Sequence, residues 1–146
     1  MPLVERAEVV VAVAPVFREE PLMRAVWENA RKGRGRVYLV GSSRAVVDEG
    51  SYFLALAGVS ANLYTLDPWP LKVEGSFVVA DGRRGVIGPL VAGLADPEGK
   101  TRWMKEEEVK EWWRYGLTLL KVAKPLRYDP VEEYLRRALR RLGVLR

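Results

Sequence analysis

The sequence predicts an α/β fold: a single domain over residues 1–146, with a mixed, mostly parallel sheet and helices on both faces. Three observations carry that prediction. Short β-branched or apolar runs at residues 7–14, 37–40 and 60–66 are separated by segments with helical spacing, the order expected of parallel strands joined by crossover helices. Asp81-Gly82 divides two further apolar runs, which predicts a tight antiparallel hairpin and makes the sheet mixed. Two amphipathic stretches, residues 105–123 and 129–146, then close the chain as helices.

Each element has a local reason. The first run, AEVVVAVA, ends at Pro15, which cannot donate to a ladder. Residues 19–30 place Leu22, Ala25, Val26 and Ala30 at helical spacing, with Pro21 in the first turn, where its missing N–H costs nothing. That helix stops in the basic run Arg31-Lys32-Gly33-Arg34-Gly35-Arg36. Residues 37–40 form a second buried strand, followed by the turn Gly41-Ser42-Ser43. A helix is expected over 46–57, with Ser43 or Asp48 as N-cap and Gly58 as its stop. Asp67-Pro68-Trp69-Pro70 breaks the third strand. Residues 88–99 read as a loop ending in an Asp-Pro-Glu-Gly turn. The 105–123 helix shows Val109, Trp112, Trp113, Gly116, Leu117 and Leu120 on one stripe. The 129–146 helix starts at Asp129-Pro130 and sets Val131, Tyr134, Leu135, Ala138, Leu139 and Leu142 opposite Arg136, Arg137, Arg140 and Arg141.

Composition removes whole classes of chemistry. The chain has no cysteine and no histidine. Disulfides, thiolate catalysis, Ser-His-Asp triads, phosphohistidine intermediates and the usual zinc sites are therefore excluded. No P-loop, metal-ligand or paired-carboxylate pattern stands out, so no cofactor or metal is expected; Asp48 and Glu49 are a weak acidic pair. Glutamine is absent and asparagine occurs only at 29 and 62, beside many Arg, Glu and Lys, the composition expected of a thermophilic, archaeal protein. No apolar run is long enough to span a membrane, and the N-terminus lacks the order of a signal peptide, so a cytoplasmic protein is expected. Lys and Arg number 24 against 19 Asp and Glu, giving a net charge of +5 and a pI of about 9.6, which suits a polyanionic partner as well as ordinary solubility.

From residue 7 to 123 the chain resembles a phospholipase D-like domain. The resemblance rests on the strand ending near Pro15, the strand at Val37, the helix ending Leu56-Ala57-Gly58-Val59, the strand at Leu63, and the hairpin 77–88, FVVADGRRGVIG. That family's active pattern is His-x-Lys, four residues, Asp, then six residues to Gly-Ser. Counting from Asp81, Glu74 takes the His position, Ser76 the Lys position, Gly88 the Gly and Pro89 the Ser. Asp81 and Gly88 match; the nucleophile and the phosphate-binding lysine do not. The resemblance thus implies the fold without phosphodiesterase activity. Relatives without the catalytic pair include effector-binding domains of archaeal transcription regulators, and paired halves in the family suggest a homodimer. A rival resemblance is to the sugar isomerase type of phosphosugar-binding domain. There Gly41, Ser42, Ser43 and Arg44 before a helix would form a phosphate loop.

The candidate sites each have two readings. Arg31, Lys32, Arg34 and Arg36 either contact phosphates or form a solvated helix exit whose cations suit the helix dipole. Arg136, Arg137, Arg140 and Arg141 are either a nucleic-acid stripe or the outer face of a helix that docks on its own domain or a partner. Trp69 either stacks on a base or covers the core. Asp81 reads as a turn residue. The function expected is non-catalytic binding of nucleic acid or a phosphate-bearing small molecule. Phosphosugar binding through the Ser42-Ser43 loop, and partner docking through the last helix, are the alternatives.

Overall fold

The structure is a computed structural model that describes residues 2–18, 20–32, 36–44, 61–71, 76–126 and 138–143. The chain opens with a short helix α1 (Pro2–Glu5), which the sequence did not announce, and continues into β1 (Val9–Val13), α2 (Glu20–Lys32), β2 (Arg36–Gly41) and β3 (Ala61–Thr65). Then come β4 (Phe77–Ala80), β5 (Arg84–Ile87), a 3-10 turn (Pro89–Ala92), β6 (Arg102–Trp103), α3 (Glu106–Val122) and β7 (Lys124–Pro125). The expected helix over 46–57, and most of the one over 129–146, lie outside the described residues; residues 138–141 are helical.

One sheet holds all seven strands in the order β6-β5-β4-β1-β2-β3-β7. Its heart is the parallel run β1-β2-β3, with Val9 opposite Arg36 and Val37 opposite Ala61. On both sides of that run the pairing is antiparallel, with β4 against β1, β5 against β4, β6 against β5 and β7 against β3. The sheet is mixed, as expected. The two-residue edge strands β6 and β7 are too short to leave a period-two signature in sequence. Two edges follow from this topology. The C-terminal edge is where β1, β2 and β3 finish and β4 begins. The N-terminal edge is where β1 and β2 begin and the β4–β5 turn closes.

Alternation along β1 divides the core. Val10 and Ala12 join Val37, Leu39, Val78 and Ala80 beneath Leu22, Ala25 and Val26 of α2. Val11 and Val13 face Phe77, Val79 and Val109 on the α3 side. Each buried aliphatic or aromatic side chain contributes roughly 1.5–3 kcal/mol. Asn29 of α2 is buried and donates to the Val4 and Ala7 carbonyls at 2.6 and 2.9 Å, which ties α1 to the end of α2.

The stripe of α3 differs from the sequence reading at Leu117 and Leu119. Leu119 is buried and Leu117 is exposed. Gly116 fixes the face, because a Cβ there would stand 3.0 Å from Val11 Cγ1 and 3.5 Å from Phe77. Leu117, one residue on, projects about 100° away from that contact. Trp112 meets Phe77 with ring centroids 4.8 Å apart, and Trp113 packs on the backbone of Gly82.

One surface ion pair gives a prediction about acid stability. Arg102 donates twice to Glu108, at 2.7 and 2.6 Å, and Lys105 N–H donates to the same carboxylate at 3.1 Å. The Arg102 guanidinium first, and that N–H second, push the Glu108 carboxyl down from 4.5 to about 2. A carboxyl depressed in the folded state stabilises above its unfolded value and loses that effect as pH falls through its folded value. The difference in melting temperature between the wild type and Glu108→Gln is therefore expected above pH 4.5 and should close as pH approaches 2. Thermal melts across that range check it.

Candidate nucleic-acid interface

Basic side chains gather at the N-terminal edge. Arg36 opens β2; its N–H donates to Glu8 O at 2.7 Å, and its register partner is Val9. Arg31 and Lys32 end α2 beside it in the chain. The β4–β5 turn brings Arg83 and Arg84 to the same edge, because Asp81 is fastened to the start of β1. Its Oδ1 accepts the N–H groups of Glu8 and Val9 at 2.9 and 2.8 Å, and its own N–H donates to Val9 O at 2.8 Å. Asp81 adopts φ 56° and Gly82 φ 64°, the paired left-handed geometry that suits Asp-Gly in a tight hairpin. Asp81 is therefore a joint between the hairpin and β1.

Charge at this edge is partly spent. Arg31 and Lys32 share the Glu28 carboxylate at 2.9 and 3.9 Å. Arg6, Arg36 and Arg83 have no ion-pair partner among the described residues. Two exposed tryptophans flank the cations. The Arg31 guanidinium lies 5.1 Å from the ring centre of Trp27, which is 40% exposed, and that of Arg84 lies 4.9 Å from the ring centre of Trp103, which is 54% exposed. An exposed indole paired with a guanidinium is a surface on which a base can stack while the cation meets a phosphate. The acidic first turn of α3, Glu106 to Glu108, bounds this surface beyond β6.

The C-terminal edge is different. Ser42 is buried; its hydroxyl donates to Pro15 O at 2.8 Å and accepts Arg44 N–H at 3.2 Å. Ser43 gives both its N–H and its hydroxyl to Asp67 Oδ1, each at 3.3 Å. The Pro15 carbonyl and the Asp67 carboxylate thus occupy donors that a phosphate loop would offer. Gly41 ends β2 and is buried, while Arg44 is exposed. Ser76 is fully buried and its carbonyl accepts Gly88 N–H at 2.9 Å. The strand over 7–14 and the Asp81-Gly82 hairpin, neither of which belongs to the phosphosugar resemblance, are both part of the sheet.

Of the residues singled out in the sequence, Arg31, Lys32 and Arg36 share one edge. Trp69 belongs with the C-terminal edge, half-buried against the α3-side core, its buried indole N–H without a partner among the described residues. Arg140 and Arg141 are exposed on a separate helical turn with Leu139 and Leu142. Arg34, Arg136, Arg137 and Glu74 lie outside the described residues. Sequence reasoning missed Arg6, Trp27, Arg83, Arg84 and Trp103 as surface partners. For Trp27 a signal existed, since it stands four residues before Arg31 on a helix. Among the described residues, no group of three acidic side chains is placed to hold a metal ion, and no helix is long and apolar enough to cross a membrane.

No protein-family model and no curated protein matches the chain. Solved structures do. NucT from Helicobacter pylori superposes with a TM-score of 0.66 at 13% identity, covering 85% of this chain and 86% of that one. Nuc from Salmonella typhimurium, a phospholipase D family member, gives 0.66 at 15% identity over 86% and 87%. TrmBL2, an archaeal chromatin protein whose structure shows a novel mode of DNA binding, gives 0.58 at 13% identity, over 85% of this chain and 48% of that one. The chain therefore has a phospholipase D-like fold.

Proposed function

We propose that this chain is a non-catalytic phospholipase D-like domain that binds nucleic acid, preferring single strands, through its N-terminal edge. The observation that carries the reading is the placement there of Arg6, Arg31, Lys32, Arg36, Arg83 and Arg84, with the exposed rings of Trp27 and Trp103 beside Arg31 and Arg84. Guanidiniums and ammoniums neutralise phosphates and release counterions, while indoles accept bases of any sequence. The DNA-binding mode ascribed to TrmBL2 lends the fold a precedent. A homodimer joined through the last helix would present two such edges.

The non-catalytic part rests on composition. With no histidine in the chain, neither the nucleophile nor the leaving-group acid of the phosphohistidine route is available, even across a dimer. A buried serine stands where the phosphate-binding lysine is needed. The purified protein is expected to form no covalent phospho-enzyme with a phosphodiester substrate.

Fluorescence anisotropy with labelled single-stranded and duplex oligonucleotides tests the binding. Affinity should depend weakly on sequence and fall steeply between low salt and about 200 mM, with a log–log slope of about −0.7 per phosphate contacted on a single strand. Absence of binding at low salt rejects the reading.

A further inference from the structure

Beside the basic edge lies a cleft of about 370 Å³, lined by Arg6, Glu8, Val9, Asp81, Arg83 and Trp113. That volume falls within the roughly 300–1,000 Å³ of small-molecule sites. Its chemistry is mixed rather than simply basic. Arg6 and Arg83 carry guanidiniums with no ion-pair partner among the described residues, and the Glu8 carboxylate likewise has none. Asp81 is partly committed, its Oδ1 taken by two backbone N–H groups. Trp113 braces the wall against Gly82. The cleft thus keeps donors and an acceptor unspent beside the ring of Trp113, one part of which Gly82 already covers.

We propose that this cleft takes one unpaired guanine of a bound single strand, an inference that rests on the nucleic-acid reading and gives it a base preference. Two carboxylates beside two guanidiniums leave the cleft no net positive charge to favour a bare phosphate. A base stacked on an indole needs partners along its edges, and those edges differ. Guanine presents two adjacent donors, N1–H and N2–H, which match the two oxygens of one carboxylate, and two acceptors, O6 and N7, which match a guanidinium. Adenine and cytosine place an acceptor beside their amine, which a carboxylate repels. Thymine offers one N–H between two carbonyls. Glu8 would therefore read N1 and N2, Arg6 or Arg83 would read O6 and N7, and Arg36, the register partner of the cleft-lining Val9, would meet a flanking phosphate.

The test uses labelled oligothymidylate carrying one central guanine, hypoxanthine, adenine or cytosine. The guanine strand should bind about tenfold more tightly than the thymine, adenine or cytosine strands. Hypoxanthine, which lacks the 2-amino group, should lose most of that gain. Glu8→Gln, with circular dichroism confirming the fold, should abolish the preference. Equal affinity for guanine and adenine strands, or a preference that survives Glu8→Gln, overturns the proposal. If plain oligothymidylate fails to bind at all, the interface reading falls separately, and free guanosine monophosphate then judges the cleft by calorimetry. One-site binding lost in Glu8→Gln sustains it; no binding overturns it.

Discussion

Replacing Gly88 with alanine should cost about 4 kcal/mol or more, among the largest effects a single methyl group can have. Gly88 sits at φ 139° and ψ 176°, a backbone region open essentially to glycine alone. An added Cβ would stand 2.3 Å from Thr101 Cα and 2.8 Å from Thr101 N, so backbone would have to move. That movement would pull on the Gly88 N–H bond to Ser76 O and on the bond from Leu90 N–H to Thr101 Oγ1. Gly99 is the control. It also has a positive φ, 63°, but a Cβ there would meet nothing within 4 Å. Gly99→Ala should therefore cost only about 1 kcal/mol, the conformational penalty alone. Melting temperatures are expected to fall by about 10 °C or more for Gly88→Ala and by a few degrees for Gly99→Ala. The same comparison gives Gly88 a packing role of its own, set by the Thr101 backbone against it.

The second large effect concerns binding. Reversing Arg36, Arg83 and Arg84 together to glutamate should weaken single-strand binding at low salt by about 100-fold or more. The log–log salt slope should fall by about 2, from three lost contacts at roughly 0.7 each. All three side chains are exposed, so the fold should persist. Arg84→Glu also removes the guanidinium from the face of Trp103. An unchanged salt slope in the triple variant would place the contacts elsewhere, with the last helix and its Arg140 and Arg141 the next surface to test.

The central elements were legible because their signals are local. β1 and β2 are β-branched runs ended by Pro15 and Gly41, α2 has helical spacing from Leu22 to Ala30, and Asp81-Gly82 carries its own turn geometry. What stayed hidden is made by pairing across the chain. Nothing near Asp81 announces that its carboxylate will cap the start of β1 more than 70 residues earlier, and that bond is what sets Arg83 and Arg84 beside Arg36. Trp103 gained its place only through a two-residue strand against Val86. Ser42 and Ser43 look like free donors in sequence, but β2 ends where Pro15 O and Asp67 consume them. The Arg31-to-Arg36 run was visible as charge. Its local neutralisation by Glu28 could be read from i,i+3 and i,i+4 spacing.

Hydrogen exchange read by mass spectrometry, with and without a saturating single-stranded oligonucleotide, tests most directly where the polyanion binds. Slowed exchange is expected at residues 8–9, 31–32, 36 and 81–84, along the N-terminal edge. Slowing confined to residues 42–44, 66–69 and 88–92, at the opposite edge of the sheet, would place the binding elsewhere and overturn the interface.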